Sequence, residues 1–310
     1  MLEIRGLGLS YEDRCIFSNL NFTLNGNVVY GIFGPNGTGK TSLLNIIAGY
    51  QNPTCGEIIL NGEVLPLSSH RLIPGFSEMA LVSATYHLDW NHSCVENIRE
   101  SILGWPQVLR EKRIKQLLNG LSLNQVKTVL AKRLSEGEKQ RLAIARAISN
   151  NPEWLLLDEP FGHLDVVHKE RLLQQLFSLG IYNVVIVSHD IQDLMGVCHK
   201  IAVLGVRGKL SKFEQPKKKY FNFKSLNTAR LMGPLNQLHW EGKPFFFRPT
   251  SFSLSNEGVE LVLVRAWFNG MTYVHCFKTL NKEEVILYFQ TALPKVIKII
   301  PLKDEAVGSN

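Results

Sequence analysis

The chain has 310 residues, 45% hydrophobic and 20% charged, an ordinary globular composition that excludes a disordered, collagen-like or coiled-coil protein. The length fits two domains better than one, and apolar runs such as 154–157 and 184–187 fall far short of the roughly 20 residues needed to span a bilayer. The net charge of +7 admits nucleic acid, an anionic membrane surface or phosphate ligands as partners and chooses none of them.

Residues 1–5 alternate like a strand and lack the basic stretch and apolar core of a secretion signal, so the chain is expected to stay in the cytoplasm. Residues 28–33 read as a buried strand, followed by a Gly-rich turn and an apolar-periodic helix over 41–48. Short strands at 56–60 and 80–83 precede a helically spaced segment from 94 to about 119, which reads as an insertion. Alternation then resumes: helix 135–148, strand 154–157, helix 166–179, strand 184–188 and strand 201–204. Strands separated by helices imply a largely parallel sheet. The basic stretch 209–224 is the best candidate for a linker. Beyond Leu235 the pattern is short strands at 259–264, 273–277, 285–289 and 296–300, with turns at Asn269-Gly270 and Asn281-Lys282, as in a small β barrel or sandwich. Five cysteines, Cys15, Cys55, Cys94, Cys198 and Cys276, form no C-x-x-C pair and read as reduced thiols.

Gly34-Pro35-Asn36-Gly37-Thr38-Gly39-Lys40-Thr41 matches G-x-x-x-x-G-K-[ST] between a strand and a helix. Glycines let successive backbone N–H groups and the helix N-terminus face a polyphosphate. Lys40 is placed to reach the β- and γ-phosphates and the Thr41 hydroxyl to ligate Mg²⁺. An ordinary Gly-rich turn is the alternative, and the strand before and helix after argue against it. The run Trp154 to Leu157 ends in Asp158-Glu159, which sets two carboxylates at a strand's C-terminal edge, where α/β sheets bind ligands. Asp158 suits Mg²⁺ through water, and Glu159 suits orienting and polarising an attacking water. Alone, such a pair is more often a solvated loop start.

Leu134-Ser135-Glu136-Gly137-Glu138-Lys139-Gln140-Arg141, followed by Ala145-Arg146-Ala147, resembles the signature motif of the ATP-binding-cassette (ABC) ATPases. The resemblance covers roughly residues 1 to 235. It implies a P-loop α/β fold with a helical subdomain over about 85–145, in an ATP-binding domain spanning 1–215. It also implies a homodimer or pseudo-dimer in which Ser135 and Gly137 of one chain meet the γ-phosphate held by the other, an anion at a helix start. The nucleotide-binding residues it implies are Tyr11, which matches the adenine-stacking aromatic, then Gly34 to Thr41 with Ser42, and Asp165 in Gly162-His163-Leu164-Asp165, which resembles the D-loop. Ser188-His189-Asp190 resembles the switch-histidine motif, so that Glu159 and His189 are the implied catalytic residues, with Thr41 and Asp158 toward Mg²⁺. For Tyr11 an ordinary strand tyrosine, and for His189 a structural histidine, are the alternatives.

Two departures from the family pattern stand out. Ala84 falls where a glutamine normally contacts Mg²⁺ and the attacking water and relays nucleotide state to the membrane partner; Ser83, Thr85 and His87 are the neighbouring candidates to replace it. Glu136 and Glu138 stand where the signature has Gly and Gln, and carboxylates near phosphate are unfavourable unless they point away. They read as tolerated variation.

His87, Asp89, His92 and Cys94 have the residue types of a transition-metal site, but their spacing fits no ligand motif. An exposed loop facing a partner, with Trp90 as contact, is the preferred reading. The Lys217-Lys218-Lys219 run reads as a solvated linker face. Gln215 to Tyr220, Ala229 to Gly233 and Asn236 are similar to the join to a C-terminal TOBE-type β domain in binding-protein-dependent importers, and Arg248-Pro249 resembles that domain's Arg-Pro-Glu element, with Thr250 in the last place. Residues 216–310 are therefore expected to be linker plus TOBE-like β domain; an unrelated small β domain is the alternative.

The combined expectation is an ATP- and Mg²⁺-using hydrolase, the dimeric subunit of an ABC importer bound beneath separate permease subunits at the cytoplasmic face of the membrane. A non-transport or weakly hydrolysing regulatory ATPase is the alternative, suggested by Ala84. The positive charge is local: residues 99–141 carry +6 and residues 207–230 carry +7, leaving −6 for the remainder. Neither cluster has the aromatic interleaving of a nucleic-acid platform, so membrane-side docking is expected and nucleic acid is not. The transported solute is not legible, because specificity in such systems resides in other subunits.

Overall fold

A computed structural model describes residues 1–12, 14–66, 74–161 and 166–302. In chain order the first elements are β1 (Leu2–Tyr11), β2 (Arg14–Leu24), β3 (Val29–Phe33), α1 (Lys40–Ile47), β4 (Cys55–Leu60), β5 (Glu63–Val64) and β6 (Met79–Val82). Then follow α2 (Cys94–Ser101), α3 (Gln107–Gly120), α4 (Glu136–Ala147), β7 (Trp154–Asp158), α5 (Val166–Ser178), β8 (Val184–Ser188), α6 (Gln192–Met195) and β9 (Lys200–Val203). Every residue of β3, β7 and β8 is buried. Their near-continuous apolar runs suit a parallel sheet covered on both faces. That sheet has the order β6-β7-β8-β3-β9, with all four pairings parallel.

A second, antiparallel sheet has the order β2-β1-β4-β5. Helix α1 packs its buried Leu43, Leu44 and Ile47 into one core with Leu2, Ile4 and Leu7 of β1 and Tyr30, Ile32, Leu156 and Val187 of the parallel sheet. Burying each such side chain contributes about 1.5–3 kcal/mol, so the start of α1 is held between two sheets. The expected strand at 1–5 runs on to Tyr11, and β2 escaped the sequence reading. The β1/β2 pairing shifts register three times, which breaks the period-two signal.

The expected continuous helical segment 94–119 is two helices. Gly104 and Pro106 interrupt it: Pro106 is the N-cap of α3 and has no N–H to donate to a preceding turn. The cations of this region are not all solvated. Arg113 is buried and donates to the carbonyls of Ile148 (2.7 Å) and Ser149 (3.2 Å), the C-cap of α4 and the residue after it.

The chain divides into two compact units, Met1–Pro216 and Lys217–Asn310. The second contains α7 (Pro216–Phe221, which begins at the boundary), α8 (Leu226–Leu231), β10 (Asn236–Trp240), β11 (Lys243–Phe247), β12 (Phe252–Phe268), β13 (Tyr273–Thr279), β14 (Glu284–Phe289) and β15 (Val296–Pro301). Part of the stretch read as linker is thus helical. An antiparallel sheet β14-β13-β12-β15 and a hairpin β10-β11 enclose a core of Leu238, Phe247, Leu261, Phe277, Val285, Leu287 and Ile299. The expected strand 259–264 is the middle of the 17-residue β12. Gly258 makes that length possible: its φ is +119° and a Cβ there would sit 2.3 Å from the Ile299 carbonyl oxygen, so the strand bulges and continues. Arg248 is fully buried, stacks 3.9 Å from the Tyr220 ring and donates to the carbonyls of Tyr220, Gly233 and Pro234.

Candidate active site

The turn after β3 delivers Gly34 to Gly39 to the C-terminal edge of the parallel sheet, and the Gly34 N–H donates to the Ser188 carbonyl at 3.2 Å. Gly39 is the N-cap of α1 with φ of 92°, and a Cβ there would lie 2.5 Å from Ile16. Only glycine meets both conditions without strain. Thr38 Oγ1 donates to the Pro35 carbonyl at 2.9 Å, closing the loop on itself. Lys40 is buried and its Nζ donates to the carbonyls of Gly34 (2.7 Å) and Pro35 (3.1 Å) while lying 3.7 Å from Glu159 Oε1. Burial pushes the Lys40 ammonium below its ordinary pKa, against the opposing pull of Glu159 and Asp158.

Asp158 closes β7 beneath this loop. Its Oδ2 accepts from Thr41 Oγ1 at 2.8 Å, whereas its Oδ1 is buried without a hydrogen-bond partner. Burial raises the Asp158 carboxyl above its ordinary value, more than the Thr41 hydrogen bond lowers it. An orphaned carboxylate oxygen next to a hydroxyl is the donor set of a hard divalent cation. These residues fit Mg²⁺.

Glu159 adopts the left-handed φ of 51°, a strained conformation for this residue type. Its Oε2 lies 2.8 Å from His189 Nδ1 and accepts from the His189 N–H (3.3 Å). A buried chain supports this pair from behind: Lys169 Nζ bonds Asp193 Oδ1 at 2.6 Å, and Asp193 Oδ2 accepts from Ser188 Oγ at 2.7 Å. Sequence reasoning missed Lys169 and Asp193, which lie 24 residues apart on separate helices.

Ser135 is the N-cap of α4 in a capping box: its Oγ accepts from the Glu138 N–H at 3.4 Å, and Glu138 Oε2 accepts from the Ser135 N–H and Oγ at 2.8 Å each. Glu138 therefore has a defined partner, which corrects its reading as tolerated variation; the signal was the Ser-x-x-Glu spacing. Those hydrogen bonds hold the Glu138 carboxyl below its ordinary range. Glu136 pairs with Lys139 at 2.6 Å. Gly137 lies in the first turn of α4.

Tyr11 ends β1, is half-exposed and accepts from Gln51 Nε2 at 2.7 Å. Asn36 and Gly37 are exposed at the loop tip, and Ser42 follows Thr41 in α1. Asp165 lies outside the described residues. Ala84 is exposed, and the hydroxyls of Ser83 and Thr85 beside it are 3.3 Å apart.

The first unit also has a groove of about 840 Å³ lined by Tyr50, Phe76, Ser83, His87, Ala143 and Arg146. His87 and Cys94 do not join the supposed metal cluster. His87 lines the groove, and Cys94 is buried with its thiol pushed up to about 11.

Residues 17–162 match the family model described as ABC transporter. The chain is 32% identical over 254 residues to the glucose import ATP-binding protein GlcV of Saccharolobus solfataricus, a match covering 80% of this chain and 68% of that protein. The chain belongs to the ABC transporter family. It is an ATP hydrolase of that family, and the relatives it matches are import ATP-binding proteins. It is also 31% identical to the sulfate/thiosulfate import ATP-binding protein CysA of Pectobacterium atrosepticum, over 85% of this chain and 83% of that one. The match to the spermidine/putrescine import ATP-binding protein PotA of Legionella pneumophila, at 32% identity, spans 76% of this chain and 65% of PotA. Its fold is that of an ABC cassette: the dimeric structure of the bacterial cassette MJ0796 superimposes with a TM-score of 0.60 at 27% identity, over 70% of this chain and 99% of that one. The same cassette bound to ADP and Pi in a post-hydrolysis state aligns equally well.

Proposed function

We propose that this ABC ATPase drives solute import as a homodimer or pseudo-dimer, docked beneath separate permease subunits at the cytoplasmic face of the membrane. The observation that carries the reading is the convergence of Lys40, Thr41, Asp158, Glu159 and His189 at one edge of the parallel sheet. ATP would draw Lys40 off the Gly34 and Pro35 carbonyls and onto its β- and γ-phosphates, while Tyr11 offers its face to the adenine. Backbone N–H groups from Gly34 to Thr41, with Ser42, cradle the phosphates. Thr41 Oγ1 and Asp158 are the groups that would hold Mg²⁺, which when bound neutralises developing phosphate charge. Glu159 orients and polarises the water, and His189 donates to the γ-phosphate.

Ser135 and Gly137 of the opposite chain complete each composite site in this reading, with Asp165 at the interface, which explains why one loop and one signature per chain call for a dimer. The groove of about 840 Å³ beside the helices of the first unit is the surface assigned to the permease. No helix among the described residues is long and apolar enough to cross a membrane, which accords with separate membrane subunits. The second unit is read as a TOBE-like domain, with Arg248 binding the turn after α8 to the end of the β10-β11 hairpin. Mg-ATP binding by the purified chain, and an ATP-stabilised dimer of Glu159→Gln, test the proposal; a chain that binds no Mg-ATP would sink it.

A second reading, a weakly hydrolysing regulatory ATPase, is favoured by one observation: Ala84 presents no amide where the family has glutamine. Steady-state turnover with and without membrane partners separates the two.

A further inference from the structure

The buried side chain of Asn97 ties together the end of the loop between β6 and α2. Asn97 donates through Nδ2 to the carbonyls of Asp89, His92 and Ser93, and its Oδ1 accepts from the Asp89 N–H at 2.9 Å. This staple brings Asp89 and His92 against Glu100, two turns along α2. His92 Nδ1 lies 2.5 Å from Glu100 Oε1 and 3.7 Å from Asp89 Oδ2, and the three ligand atoms fall within 4.8 Å of one another. His92 Nδ1 is screened from solvent, and its contact with Glu100 Oε1 is an ion pair without aligned hydrogen-bond geometry. Arg146 Nη2 stands 4.0 Å from Glu100 Oε2, the oxygen turned away, and leaves Oε1 to face the imidazole.

One imidazole nitrogen and two carboxylate oxygens thus lie within 4.8 Å of one another, on a backbone fixed by hydrogen bonds. Ligand atoms around a tetrahedral Zn²⁺ at about 2.1 Å are about 3.4 Å apart, so binding opens the 2.5 Å contact and draws in the wider spacings. We propose that Asp89, His92 and Glu100 form a binding site for one divalent transition cation of the zinc class, separate from the nucleotide site. The mixed nitrogen and oxygen set suits Zn²⁺, Co²⁺ or Ni²⁺ over Mg²⁺, and three protein ligands leave a position for water. The occupant ties the loop to α2 beside the groove that Arg146 and His87 line. A protonated imidazolium would answer the same negative charge without any metal, and the experiment separates the two.

Co²⁺ serves as the spectroscopic probe, titrated near neutral pH into the full chain carrying Cys15→Ser and Cys55→Ser, which removes the two exposed thiols. One Co²⁺ per chain is expected, with visible d–d bands, no thiolate charge-transfer band, and displacement by Zn²⁺. His92→Gln and Glu100→Gln are each expected to weaken binding about tenfold or more, while Mg-ATP binding and circular dichroism stay unchanged. Asp89→Asn provides a third variant if either fails the folding check. Co²⁺ binding that is absent, weaker than about 1 mM, or indifferent to all three substitutions overturns the proposal.

Discussion

His189 Nδ1 and Glu159 Oε2 meet at 2.8 Å, joining the end of β8 to the residue that follows β7. The carboxylate proposed to polarise water is therefore aligned by the histidine proposed to sense the γ-phosphate. Replacing Glu159 by Gln keeps the hydrogen bond and removes the base. Turnover should fall about a hundredfold or more, with ATP affinity retained; phosphate release and nucleotide titration measure the two. His189→Ala should also lower turnover, because Glu159 loses its imidazole contact.

Asp158 should show opposite effects on stability and on catalysis. Burial raises its carboxyl pKa in the folded state. A carboxyl raised on folding contributes stability below its unfolded pKa and loses that contribution as pH rises through the folded value. Asp158→Asn should therefore melt no lower than the parent at neutral pH without nucleotide, while losing Mg²⁺-dependent stabilisation by ATP. Thermal unfolding with ATP, with and without Mg²⁺, reads both effects.

The Ser135–Glu138 capping box should behave in the reverse sense with pH. Glu138 is held below its ordinary value of 4.5 by hydrogen bonds from Ser135. Its contribution is present above the unfolded pKa and is lost as pH falls through the folded one. Ser135→Ala should cost about 1 kcal/mol of stability. The difference in melting temperature between parent and Glu138→Gln should be present at neutral pH and shrink in acid.

Arg113 spans from α3 to the end of α4, donating to two carbonyls from a buried position. Its charge is expensive to bury, and burial lowers its pKa. Arg113→Ala should destabilise the first unit by about 3 kcal/mol. Arg113→Lys should not restore it, since an ammonium lacks the planar fork. Urea unfolding of the full chain gives the comparison.

Ala84→Gln should raise the turnover of the isolated protein severalfold if the missing amide limits hydrolysis. Unchanged steady-state turnover would mean that Ser83 or Thr85 fills the role.

Much of the site was readable because its chemistry is local. Gly34 to Thr41 lie on one turn and the helix it opens, and their spacing alone marks the loop proposed to hold phosphate. Asp158 and Glu159 were equally visible, as the end of an apolar run. The same holds for the parallel sheet, whose buried strands carry continuous apolar runs. The second unit was read less well: β12 appeared as one short strand because the Gly258 bulge interrupts the alternation, and the β10-β11 hairpin was missed.

The sequence by itself determined the phosphate loop, the acidic strand end, the signature and the membership these imply, because each is a short pattern closed by bonded neighbours. Only the tertiary structure decided which of those patterns meet. The parallel register of β3 and β8 brings the loop to His189, and that of β7 and β8 brings Glu159 there. The positive charge that admitted three kinds of partner was likewise sorted by packing: Arg113 turned inward to cap a helix, a use no count of charges could reveal. The Asp89, His92 and Glu100 grouping depended on a loop stapled by Asn97, since residues 8 and 11 apart meet only when the chain between them is bent back.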